Sequence, residues 1–121
     1  MEETKSGIEI YVLEEISNKE IEVRNNIFYV KVKANRSAGY FWEVNFERSN
    51  NVIVYDGGKP IENKRKEIIP IVGAAVEEYH VFRVVGNGKV TVVFKYGRPW
   101  GNDIEPIERI SFKVVVKNHK N

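Results

Sequence analysis

A chain of 121 residues with 42% hydrophobic and 30% charged side chains can bury one real core and is too apolar to stay disordered, so a single domain over 1–121 is expected. Its 19 basic and 17 acidic side chains leave a net charge of +2, too balanced to imply a nucleic-acid or membrane partner. No apolar run approaches the roughly 20 residues that cross a bilayer, and the absence of cysteine excludes disulfides and thiol chemistry while leaving the redox compartment open.

The start, Met1-Glu2-Glu3-Thr4-Lys5, is acidic and polar with no apolar stretch behind it, so no secretory leader is read. The expectation is a cytoplasmic protein if Met1 is the native start, and otherwise a secreted or vesicular one whose leader has been removed. Ile8, Ile10 and Val12 alternate with Glu9 and Tyr11, which predicts a first strand. The polar segment 14–20 interrupts it before Ile21 and Val23 resume, and Asn25-Asn26 turns the chain into a strand over 27–34. In that strand Phe28, Val30, Val32 and Ala34 alternate with Tyr29, Lys31 and Lys33.

After the stretch Asn35-Arg36-Ser37-Ala38-Gly39-Tyr40-Phe41 the alternation restarts at Trp42, Val44 and Phe46. Trp42 is in phase with that face and is assigned to the core, with Tyr40 anchoring the loop base. Gly39 is free to take a positive φ that a larger residue would resist. A loop hemmed in by two strands, with small side chains at its tip, can enter a cleft without a large ordering cost.

A short strand over 52–55 is expected to stop at Asp56-Gly57-Gly58-Lys59-Pro60. From Ile61 to Pro70 the sequence favours a long loop returning toward Gly73, since Pro70 limits any helix over 62–69. The basic cluster Lys64-Arg65-Lys66 and the tail 117–121 are read as solvated surface. Strands follow at 79–85 and 90–96, with Gly86-Asn87-Gly88 between them as a hairpin signal. After Gly97-Arg98-Pro99-Trp100-Gly101 a last strand is read over 110–116. Some seven or eight short strands without a clear long helix define an all-β protein, a β-sandwich.

Catalytic constellations are missing from this pattern. His80 and His119 are far apart in sequence, and neither has clustered carboxylates or the context of a triad, so no metal or cofactor is expected. His80 reads as an ordinary strand residue. Gly86-Asn87-Gly88 opens no helix and is not a phosphate loop, and nothing places Asp56, Asp103 and Glu105 together for acid–base work. The chain is therefore not read as an enzyme.

The loops carry more specific residues than turns require. Trp100, between Pro99 and Gly101, is badly placed for a core, and Trp and Arg are enriched at binding hot spots. Two readings of Trp100 stand at this level: a contact residue, or a cover over one end of the sandwich. The small run Gly73-Ala74-Ala75 signifies on its own only a close backbone approach.

Taken together, the three loops resemble the chagasin family, proteinaceous inhibitors of papain-like cysteine proteases. Its patterns are Asn-Pro-Thr-Thr-Gly-Tyr-x-Trp, a Gly-rich segment leading to an aromatic strand, and Arg-Pro-Trp. Asn35, Gly39, Tyr40 and Trp42 match the first at the same spacing, and Arg98, Pro99 and Trp100 match the third. Gly73 begins the second, with Tyr79 and Phe82 as candidates for its aromatic position. Arg36 stands in place of the family proline, Ser37 and Ala38 in place of the threonines, and Ala75 and Val76 where glycines are commoner.

The resemblance implies an immunoglobulin-like β-sandwich, monomeric when free. It also implies protease contacts through Asn35, Arg36, Ser37, Ala38, Gly39 and Tyr40, through Gly73, Ala74, Ala75 and Val76, and through Arg98, Pro99 and Trp100. The implied partner is a papain/cathepsin-L-like enzyme, blocked reversibly by a wedge in its cleft. The alternative from a different class is an immunoglobulin-like adhesion or carbohydrate-binding module with Trp100 as the stacking platform.

Overall fold

Phe28, Val30, Val32 and Ala34 are buried along β4 (Ile27–Ala34) while Ile27 and Lys33 are exposed, the period-2 burial of a strand with one face on a core. The computed structural model describes residues 3–5, 8–60, 76–98 and 107–120. The long loop expected from Ile61, the small run Gly73-Ala74-Ala75, and Pro99 and Trp100 lie outside the described residues.

β4 sits at the middle of a five-stranded sheet. It is flanked by β2 (Ile8–Val12) and the short β1 (Glu3–Lys5) on one side, and by β7 (Val76–Val84) and β6 (Ile53–Pro60) on the other. Facing it is a four-stranded sheet in the order β3 (Glu20–Val23), β9 (Glu108–Val116), β8 (Gly88–Gly97), β5 (Phe41–Phe46). Pairing is parallel for β2 with β4 and β3 with β9, and antiparallel elsewhere. A single helical turn, α1 (Leu13–Ile16), buries Leu13 and Ile16 as the chain passes from one sheet to the other. The result is the expected all-β sandwich of immunoglobulin-like type. The described residues form nine strands, one more than the upper figure of the seven or eight read from the pattern, because β1 carries no apolar alternation.

Rings from both sheets meet in the core. Phe28 stacks on Phe82 at 5.0 Å, Phe82 reaches Phe94 of the facing sheet at 6.3 Å, and Phe94 continues to Phe112 at 5.8 Å. Trp42, Val44 and Phe46 pack against this cluster, but β5 is an edge strand and leaves them only partly buried.

Two expectations are corrected by the packing, and the first strand turns its less apolar face to the core. In β2 it is Glu9 and Tyr11 that face inward, while Ile8 is exposed. Glu9 is accommodated because its carboxylate accepts the Asn25 amide at 2.8 Å, the Arg24 amide at 3.1 Å, and the Tyr11 hydroxyl. The Gly86-Asn87-Gly88 turn does not close a hairpin, since β7 and β8 belong to opposite sheets. The amides of Val85 and Gly86 instead donate to the Val52 carbonyl, at 2.8 and 3.2 Å. A Cβ on Gly86 would collide with the Asn51 carbonyl, so this glycine serves a close crossing between sheets.

Finally, β6 runs on through Asp56-Gly57-Gly58-Lys59-Pro60 rather than stopping there. A register shift between Tyr55 and Gly58 absorbs the irregularity as a bulge, and Gly57 takes φ 101°.

Candidate functional site

The strand registers set one end of the sandwich apart. Ala34 pairs with Val76, Pro60 with Glu78, Phe41 with Gly97 and Tyr96 with Glu108. The β4–β5, β6–β7 and β8–β9 connections therefore all leave from the same end. Of the residues expected at the site, Asn35, Arg36, Ser37, Ala38, Gly39, Tyr40, Val76 and Arg98 lie at this end. Gly73, Ala74, Ala75, Pro99 and Trp100 lie outside the described residues.

The β4–β5 connection is one tight 3-10 turn, Arg36–Ala38. The Asn35 carbonyl accepts the amides of Ala38 at 3.2 Å and Tyr40 at 3.1 Å, and the Arg36 carbonyl accepts that of Gly39 at 2.9 Å. Gly39 closes the turn in the left-handed region, φ 91° and ψ 12°, which a Cβ would disfavour. At the turn's entry the Asn35 amide donates to the Tyr96 hydroxyl at 2.8 Å. At its exit Trp42 Nε1–H donates to the Lys33 carbonyl at 2.9 Å. Ser37, at the tip, is exposed.

A ladder of rings fixes the base of this turn. Tyr40 stacks on Tyr96 at 5.4 Å, Tyr96 meets Trp42 at 4.7 Å, and Trp42 meets the core ring Phe94 edge-on at 6.0 Å. On the outer side of Tyr40 lies the Arg98 guanidinium, 4.5 Å from the ring centroid. Tyr40 thus anchors the loop base as its spacing predicts, and it also joins the first motif to the third.

Beneath the turn lies a polar chain that the reading of the sequence overlooked. Arg36 Nε–H donates to Glu78 Oε1 at 2.7 Å, and the other carboxylate oxygen takes His80 Nε2–H at 2.6 Å. His80 Nδ1 is 2.6 Å from the Tyr55 hydroxyl. Glu78 and His80 are buried, at 0% and 2% exposure.

Burial pushes the Glu78 carboxyl upward, but hydrogen bonds from His80 and Arg36, and their charges, outweigh it and hold the group below the ordinary carboxylate range. Burial first, then the Glu78 charge, pushes the Tyr55 phenol up to about 12. The signal was available in β7. Counting back in twos from the core residues Val84 and Phe82 puts His80 and Glu78 on the inner face.

His80 is too enclosed to meet a substrate, and the Ser37 hydroxyl bonds at 3.4 Å to the Asn35 amide oxygen, which is no general base. Among the described residues no group of three or more His, Asp or Glu could hold a metal ion. What this end offers is a shaped surface: a short, internally bonded turn with small residues at its tip, braced by rings.

A surface of that kind defines a binding protein, one that displays loops from a rigid sandwich. Residues 22–115 match the sequence profile of the chagasin family peptidase inhibitors, I42. The chain belongs to that family, whose inhibitors target cysteine proteases; it is a protease inhibitor and not an enzyme. The membership displaces the carbohydrate-binding alternative.

Among solved structures, the cysteine protease inhibitor EhICP2 from Entamoeba histolytica superposes with a TM-score of 0.67 at 17% identity, over 91% of this chain and 95% of that one. The solution structure of amebosin gives 0.66 at 18% identity, over 89% and 96%. At these identities the two structures speak for the fold. No curated protein sequence matches the chain.

Proposed function

We propose that this chain is a reversible, steric inhibitor of papain/cathepsin-L-like cysteine proteases, acting as a monomer and as one domain. The observation that carries the reading is the 35–40 turn, closed by its own backbone hydrogen bonds and projecting small residues from the end where two further connections emerge. Ser37, Ala38 and Gly39 enter the cleft as a wedge. Asn35, Arg36 and Tyr40 form its stem, and the segment Gly73, Ala74, Ala75 and Val76 braces one side. Arg98, Pro99 and Trp100 lie along the other, with Trp100 as the aromatic anchor. Such a wedge carries no nucleophile or electrophile, so occupancy alone blocks the enzyme. Affinity then comes from burying a surface whose ordering cost is already small.

The test is titration of papain by activity, and of papain whose catalytic cysteine carries an S-methyl group by calorimetry. Competitive inhibition of the free enzyme and retained binding to the S-methyl form are expected. Full papain activity at micromolar inhibitor would sink the inhibitor reading. Binding to the free thiol alone would mean that the thiolate contributes directly, and the purely steric wedge would have to be abandoned.

A further inference from the structure

The wedge needs one fixed position. The rings and the Asn35–Tyr96 bond hold the base of the turn, and Arg36 adds a tie from the 3-10 turn itself. Its guanidinium reaches down from the first position of the 3-10 turn to Glu78 on β7, at 2.7 Å, and lies 5.2 Å from the Phe41 ring centroid on β5. One side chain therefore ties the turn to both sheets.

Glu78 makes this tie more than a surface ion pair. It has no exposed surface, and its second oxygen is taken by His80, itself bonded to Tyr55. A displaced turn would leave a buried carboxylate with one partner fewer, and stripping a partner from a buried charge is among the costlier changes a fold can suffer. Half-exposed Arg36 and buried Glu78 thus form a joint whose open state is disfavoured from the inside.

We infer that Glu78 is a positioning residue for the inhibitory turn, a buried anchor that holds Arg36 and so presents Ser37, Ala38 and Gly39 in one orientation before any protease arrives. The inference rests on the reading of 35–40 as the wedge. It assigns a task to a residue outside the three loop motifs. It also accounts for an arginine at position 36, where a proline would stiffen the backbone locally; here the stiffness comes from a tertiary contact.

The experiment compares Arg36→Met, Glu78→Gln and the double variant with the parent chain, each first checked for cooperative thermal unfolding. Two quantities are read: the inhibition constant against papain, and amide hydrogen exchange at Ala38 and Gly39 in the free protein. Each single variant should inhibit papain about tenfold more weakly and exchange about tenfold faster at the tip, the scale of a lost charge-assisted hydrogen bond. The double variant should lose no more than either single one, because the two residues form one joint.

Unchanged exchange and inhibition in a folded single variant overturn the inference, as do losses that multiply in the double variant. If Glu78→Gln fails to fold, the exchange rates of Arg36→Met in the free protein decide, since that variant leaves Glu78 and His80 in place. If the parent chain leaves papain active, the inhibitor reading falls, and the exchange rates still decide whether Glu78 positions the turn.

Discussion

Glu78, His80 and Tyr55 are three polar side chains that share, with Glu9, a sheet face made otherwise of aliphatic and aromatic residues, and each is tolerated through its neighbour. The dependence reaches the glycine beside them. A Cβ on Gly58 would stand 2.5 Å from His80 Cε1 and 2.8 Å from Nδ1, so the β6 bulge brings bare backbone against the imidazole. Gly58→Ala should therefore push the ring from both of its hydrogen bonds and lower stability by about 1–3 kcal/mol, the usual range for overpacking. Urea unfolding measures it, and a change within experimental error would mean the ring has room to shift. At this scale the sequence was partly legible. Tyr40 and Gly39 could be placed from spacing, since a positive φ and an in-phase ring are local matters. The inner-face position of Glu78 could be counted back from Phe82 and Val84, but its partner could not, because Arg36 lies 42 positions away.

Elements were legible where one face alone decides them. β4 has the bounds its alternation predicts, and β5 begins one residue before Trp42. Pairing was less so. Gly86-Asn87-Gly88 has hairpin composition, yet composition cannot say whether two flanking strands share a sheet; here β7 already has β4 and β6 as neighbours, and β8 has β5 and β9. β2 was legible as a strand, but its inner face was not, for a related reason. A glutamate on the inner face becomes visible only once the amides of Arg24 and Asn25 arrive to bond it. The β4–β5 turn is the element with the clearest local requirement. With φ at 91°, Gly39→Ala should cost about 1 kcal/mol of stability. Thermal unfolding checks this, and an alanine variant as stable as the parent would show that the turn can close with another backbone geometry.

For the whole molecule, the polar chain under the loop-bearing end contributes to how stability responds to pH, and two of its members, Glu78 and Tyr55, act on opposite limbs. Glu78, faced by Arg36 from the turn, His80 from its own strand and Tyr55 from β6, has a carboxyl held below its ordinary value of 4.5. A lowered folded value means the unfolded chain binds the proton first as pH falls, so the contribution of Glu78 is fully present above about pH 5. It is lost only as pH drops through the folded value. Tyr55 works the other way. Its phenol is raised from 10.0 to about 12, so its contribution is intact below about pH 10 and is lost as pH climbs toward the folded value. Between these limits neither the Glu78 carboxyl nor the Tyr55 phenol changes its charge. Melting temperature against pH for the parent chain, Glu78→Gln and Tyr55→Phe separates the limbs. The advantage of the parent over Glu78→Gln should persist down to about pH 5 and shrink below, as the carboxyl takes up its proton. The parent's decline above pH 10 should be shallower in Tyr55→Phe, which has no phenol to ionise. An advantage over Glu78→Gln that already vanished between pH 7 and 5 would show that Arg36 and His80 do not hold the carboxyl ionised, and the anchor would then have to be a neutral hydrogen bond.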